Sequence, residues 1–113
     1  MKFDNIKDRK VYNVDLDGTL TYNEPWWDVT PKVNPIMRDY IRDLLHNGHI
    51  IIIWTARPWN FANETVGWLI ANKIQFHGLM MGKGGADYYI DDKAINALEL
   101  TKELEKKSDN YER

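Results

Sequence analysis

Lys10-Val11-Tyr12-Asn13-Val14-Asp15-Leu16-Asp17-Gly18-Thr19 runs from a β-forming stretch straight into two aspartates and a glycine turn. Val11, Tyr12, Val14 and Leu16 favour extended backbone, and only Asn13 interrupts their buried character. Residues 10–16 therefore read as a strand that ends at Asp17-Gly18. Asn34-Pro35 then opens a helix, because asparagine caps free N–H groups and proline at the first helical position has no N–H to lose. Ile36, Met37, Tyr40, Ile41, Leu44 and Leu45 recur at helical spacing up to Gly48, with Arg38, Asp39, Arg42 and Asp43 on the polar side.

The alternation continues. Residues 49–54 are a nearly continuous isoleucine run, the pattern of a strand covered on both faces. Ala62, Val66, Leu69 and Ile70 predict a second helix over residues 61–72, followed by a third strand over 76–81 and the glycine loop 82–85. Tyr88-Tyr89-Ile90 reads as a short fourth strand. Ala94, Ala97, Leu98, Thr101 and Leu104 give a last helix that fades into a charged tail, residues 105–113. The order β-α-β-α-β-β-α implies an α/β fold: three Rossmann-like layers around a mostly parallel sheet with right-handed crossovers, in one domain spanning residues 1–113. Such sheets place ligand sites at the carboxyl ends of their strands. Asp15 and Asp17, Thr55, Lys83, and Asp91 with Asp92 all fall there.

Composition narrows the chemistry. With 113 residues, 43% hydrophobic and 28% charged, the chain is ordinary for a globular domain. It has no cysteine, so thiolate catalysis, cysteine zinc sites and disulfides are excluded, in keeping with a reducing cytoplasm. The apolar run 50–54 is too short to cross a bilayer, and the first residues carry no signal-peptide core. A net charge of −2 gives no general attraction for nucleic acid. His46, His49 and His77 lack metal-ligand spacing and read as helix-end or strand-end residues.

Four carboxylates, a hydroxyl and an ammonium gathered on one rim call for a cation, since two like charges 4 Å apart repel by roughly 4 kcal/mol at an effective dielectric of 20. Oxygen ligands beside a phosphate favour Mg²⁺. Lys83, Thr55 and the glycine-loop N–H groups supply partners for phosphate oxygens. The constellation reads as a phosphoryl-transfer site. Each part has a plainer reading in isolation: Asp15 and Asp17 as a solvated turn, Thr55 as a helix cap, Lys83 as a surface lysine with Lys93 close by, and Asp91-Asp92 as caps of the last helix.

Asp15-x-Asp17-Gly18-Thr19, then Thr55 after a hydrophobic strand, then Lys83, then Asp91-Asp92, resembles the four ordered motifs of the haloacid dehalogenase (HAD) superfamily over residues 11–95. The resemblance implies that Asp15 attacks phosphorus to form an aspartyl-phosphate, while Asp17 acts as acid and base. It implies Mg²⁺ held by Asp15, the backbone carbonyl of Asp17 and Asp91, with Asp92 as an outer ligand. Thr55, Ala56 and Lys83 would bind the phosphoryl group, and Gly18 would let the backbone pass close to it. Arg57 is divided between reaching the substrate and a structural ion pair in its loop.

The segments where larger relatives carry a cap domain are short here, so the resemblance implies a capless phosphatase. Its site would be closed by a bulky substrate or by a neighbouring copy in a homo-oligomer. Thr55-Ala56-Arg57-Pro58 and the stretch from Tyr89 to Ile95 resemble phosphatases of capsular polysaccharide synthesis, which implies a phosphorylated sugar as substrate. A fainter likeness of residues 28–37 to polynucleotide 3'-phosphatases makes nucleic acid the alternative. Trp26, Trp27 and Trp59 could stack on such a substrate or pack against each other, whereas Trp54 and Trp68 read as core. A receiver domain of two-component signalling is the rival from another class, but it needs a phosphoacceptor aspartate after the third strand, where Met81-Gly82 offers none.

Overall fold

Three parallel strands in the order β1-β2-β3 carry the domain: β1 Val11–Val14, β2 Ile50–Trp54 and β3 Gly78–Met80. This is a computed structural model that describes residues 8–22 and 31–112. Val14 pairs with Ile53, and Ile53 with Leu79, so the register brings Asp15 level with Trp54 and Thr55 at one end of the sheet. The α/β class and parallel sheet expected from the alternation are what the chain adopts. Helices α1 (Pro35–His46), α2 (Ala62–Ala71) and α3 (Ala97–Glu112), with a short 3₁₀ turn before α2, accompany the sheet among the described residues.

The core forms where the apolar periodicities meet. Leu16, Leu20, Ile51, Ile53 and Leu69 are fully buried, joined by Met37, Ile41, Trp68 and Ile74. Ile51 and Ile53 alternate with half-buried Ile50 and Ile52. Trp68 sits in the core as expected, its indole N–H donating to Pro31 O at 2.9 Å. Trp54, in contrast, is 40% exposed. It ends its strand, beyond the part of β2 that the helices cover.

Residues 82–96 form no strand, which corrects the expectation for Tyr88-Tyr89-Ile90. Tyr88 and Ile90 lie almost wholly in water. Three β-formers between Asp87 and Asp91 give too little apolar surface to offset the ordering of a Gly-rich approach. The tail departs from expectation the other way, because α3 continues through Glu105 to Glu112. Its many Glu and Lys are strong helix formers, so the charged stretch extends the helix instead of ending it. Among the described residues no helix is long and apolar enough to cross a membrane. Trp26, Trp27 and residues 28–30 lie outside the described residues.

Helix α1 begins where the sequence predicts, and its cap also ties down the aspartate loop. The Asn34 side chain accepts from the N–H groups of Ile36 and Met37, both at 3.2 Å. Its amide donates to Thr19 O at 3.4 Å, and its own N–H donates to Leu20 O at 2.7 Å. Asn34→Ala is expected to lower unfolding free energy by about 1–2 kcal/mol, as for other buried caps. Urea denaturation measures this, and Asn34→Asp should recover most of the loss.

Candidate active site

The loop after β1 is a tight turn built on one carbonyl. Leu16 O accepts from the N–H groups of Thr19, Leu20 and Thr21, while Leu16 and Leu20 anchor the turn in the core. Gly18 has φ 87°, a left-handed conformation that a side chain would strain, and its N–H donates to the buried Thr21 hydroxyl at 3.1 Å. Asp15 and Asp17 therefore leave the turn on a rigid base. The second edge of the site comes from the end of β2. Thr55 is buried, donates its N–H to Met80 O and accepts from Lys83 N–H, each at 2.9 Å. Its hydroxyl accepts from Arg57 N–H at 3.2 Å, a local cap of the kind that threonine makes when it ends a strand. Gly82, at φ 75°, donates to Arg57 O at 2.8 Å, so the two loops are laced together and Lys83 faces β1.

Two ion pairs result. Lys83 Nζ lies 3.5 Å from Asp15 Oδ1, with the lysine side chain only 12% exposed. Arg57 donates from Nε to Asp17 Oδ2 at 2.9 Å and from Nη2 to Asp17 Oδ1 at 2.8 Å, a fork on both oxygens. Its Nη1 donates to Thr65 Oγ1 at 3.1 Å, and Arg57 and Thr65 are both buried. Arg57 thus makes the structural ion pair, and its partner is the second aspartate of the motif. No sequence pattern announces a contact across forty residues, nor that α2 would supply Thr65.

Burial pushes the Asp15 carboxyl up from its ordinary value; the Lys83 ammonium and the Leu16 backbone N–H pull it partly back, and Asp17 adds to the rise. Thr19 donates to Asp15 Oδ2 at the long distance of 3.5 Å. Asp15 is therefore a partly buried carboxylate whose partners offset only part of the cost of its burial.

Asp91 and Asp92 are not brought to this cluster. Asp91 Oδ1 accepts from Lys93 N–H at 2.8 Å in the exposed segment, and Asp92 is exposed; neither caps the last helix, whose Glu99 N–H donates instead to Asn96 Oδ1 at 3.0 Å. Without a fourth strand nothing carries them to the rim. Lys93, also exposed, leaves Lys83 as the lysine at Asp15. Ala56 is exposed between Thr55 and Arg57. Trp59, 60% exposed in a short 3₁₀ turn (Trp59–Phe61), stands beside Gly82. His49 and His77 accept backbone N–H groups from Lys10 and Ile51, at 3.1 and 3.0 Å, in keeping with strand-end roles.

For a metal ion, the donor set is hard carboxylate oxygen. Among the described residues no three His, Asp or Glu side chains gather as a ready-made cage. Mg²⁺ does not need one: it keeps several waters and is held by one or two carboxylates plus substrate phosphate. The Asp15 carboxylate fits that description, whereas both carboxylate oxygens of Asp17 are taken up by Arg57.

A match to the family model of the PITM 1–3 LNS2 domain spans residues 11–109. The chain belongs to this family. The LNS2 domain has a HAD-type phosphatase fold, and solved structures agree on the architecture. A structural-genomics target from Vibrio cholerae is similar with TM-score 0.68 and 24% identity, over 86% of this chain and 94% of that one. Two structures of the Pnkp1/Rnl/Hen1 complex, one described as an RNA repair complex, are similar at TM-scores of 0.56 and 0.55 with 22% and 19% identity. They cover 85% and 88% of this chain, which spans about a third of theirs, 32% and 31%. No curated protein matches the sequence. This LNS2 domain is a phosphatase of the HAD-like class, whose members generally use Mg²⁺.

The raised Asp15 pKa has a consequence for stability. A carboxyl whose folded value lies above its unfolded one costs stability when charged, at pH above the folded value, and this cost vanishes as pH falls below the unfolded value. Asp15→Asn should therefore raise the thermal midpoint at pH 7, with a gain that shrinks as pH falls toward about 4, the ordinary carboxylate range, and is absent below it. Scanning calorimetry across that range measures the difference.

Proposed function

We propose that this domain hydrolyses phosphomonoesters through an aspartyl-phosphate on Asp15. The observation that carries the reading is the placement of Lys83 Nζ 3.5 Å from Asp15 Oδ1 at the carboxyl end of β1. There a nucleophile and a partner for phosphoryl oxygens share one spot. An Asp15 oxygen attacks phosphorus, the ester oxygen leaves, and water then attacks the acyl phosphate to release inorganic phosphate and restore the carboxylate. Lys83, the Thr55 hydroxyl and nearby backbone N–H groups bind the phosphoryl oxygens, and the φ of Gly18 keeps the backbone close.

Asp17 delivers a proton to the leaving oxygen and later accepts one from water. Both of its oxygens are held by Arg57, so this work requires a side-chain rotation that releases at least one of the two bonds. Arg57 keeps Asp17 parked and ready until substrate enters. Asp15, the backbone carbonyl of Asp17 and Asp91 would hold Mg²⁺, with Asp92 outside them, and the ion would neutralise charge on the transferring group. Asp91 joins the set by movement of the exposed residues 90–96, which follow Tyr89.

The substrate we favour is a phosphorylated sugar or similar small metabolite, on the wording Thr55-Ala56-Arg57-Pro58 and Tyr89 to Ile95 and on the chain's acidic balance. A polynucleotide 3'-phosphate is the second reading, favoured by the similarity to the Pnkp1-containing complexes and by exposed Trp59 and Tyr88. The half-open Asp15 also suits closure by a second copy of the chain. One panel tests the proposal: sugar phosphates, nucleotides, phosphoproteins and 3'-phosphorylated oligonucleotides, with Mg²⁺ or EDTA. Sugar phosphates should be hydrolysed with Mg²⁺ and not with EDTA, and Asp15→Asn should lower kcat by on the order of a thousandfold or more. A preference for the oligonucleotide moves the substrate to the second reading. An absence of ester hydrolysis removes the proposal.

A further inference from the structure

Residues 84–96 are exposed throughout, with Tyr88 86% and Ile90 103% accessible, yet Tyr89 between them is fixed in place. Its hydroxyl donates to Gly84 O at 2.7 Å, which closes a short loop and holds the ring centroid 4.6 Å from Lys83 Nζ. A second ring meets the same ammonium: Trp54, at the end of β2, has its centroid 5.0 Å away. Both distances lie inside the range of about 6 Å over which a ring face attracts a cation.

Two aromatic rings are an unusual way to hold a lysine beside a carboxylate. A lysine side chain is long and loses much rotamer freedom when fixed, so a single ion pair at 3.5 Å is a weak tether. A second carboxylate would fix the ammonium but neutralise it, and would repel an incoming phosphate. Ring faces carry only a quadrupole, so they attract the cation while leaving its charge available to an anion. The Tyr89 hydroxyl is turned to Gly84 O, away from any role as an anion ligand.

We infer that Tyr89 and Trp54 are positioning residues that clamp Lys83 Nζ at Asp15, so that a phosphoryl oxygen arriving there meets an ammonium already in place. The choice of phosphate as ligand rests on the phosphatase reading; the clamp itself does not. Because Asp91 follows Tyr89 by two residues, the same contact sets where the acidic segment starts from.

The test uses the full chain with inorganic phosphate as the probe, so that binding is read apart from turnover. In NMR spectra the Lys83 ε-methylene protons should be shifted upfield by the two rings in wild type, less so in Tyr89→Phe, which keeps the ring but loses its tie to Gly84 O, and should lie nearest to ordinary lysine values in Tyr89→Leu, where Trp54 alone remains. The Kd for phosphate should weaken about fivefold in Tyr89→Leu, the scale of one lost cation–ring contact, and most of the affinity should persist in Tyr89→Phe. The thermal midpoint of Tyr89→Leu should stay near wild type, since the residue is half exposed. Unshifted Lys83 protons in wild type, or wild-type phosphate affinity in Tyr89→Leu, would overturn the clamp. Phosphate binding with the expected pattern but no ester hydrolysis by wild type would sink the phosphatase reading and leave the clamp standing.

Discussion

Two aspartates separated by one residue stand at the end of an edge strand whose last residue, Val14, is buried, and their mutual repulsion is the constraint around which the site is arranged. Water is partly excluded there, so each carboxylate needs a cation. The chain supplies two of different character. Asp17 receives a guanidinium whose planar fork satisfies both of its oxygens and which is itself fixed by Thr65. Asp15 receives a single ammonium at longer range, and burial outweighs that help, so its pKa remains raised. In the proposed mechanism this asymmetry sorts the two groups: the first is the nucleophile, while the second is held in reserve.

The scaffold is organised to keep that unfavourable arrangement from relaxing. Leu16 lies between the two aspartates in sequence and is fully buried, which fixes the backbone from which both emerge. Asn34 links the cap of α1 to the carbonyls of Thr19 and Leu20, and the parallel register of β1 on β2 sets Asp15 beside the Thr55 loop. Cooperative burial of the core thus supports charged groups that are costly by themselves, the usual relation between a stable framework and a strained site.

Much of this was legible in the sequence because it depends on local patterns. The strand before Asp15, the Asn34-Pro35 helix start and the isoleucine strand follow from propensity and periodicity. What escaped depends on context. Tyr88-Tyr89-Ile90 has the composition of a strand, but too few residues and too polar a setting to form one. Trp54 continues an apolar run and so reads as core, yet it lies past the covered end of its strand and faces Lys83. The Arg57 fork on Asp17 and the Tyr89 contact on Lys83 are tertiary, and only their residue types were visible beforehand. Glu105 onward looked like a tail because charge was weighed above helix propensity.

Asp15 as the covalent centre is the claim to which every other role is referred, from the Lys83 ammonium to the parked Asp17 carboxylate. Rapid acid quench of the enzyme during turnover of a phosphate ester, followed by peptide mapping by mass spectrometry, addresses it directly. A phosphoryl group found on the peptide containing Asp15, and localised to that side chain, is the predicted result. Turnover with no phosphorylated enzyme, or with the phosphoryl group on another residue, would contradict it.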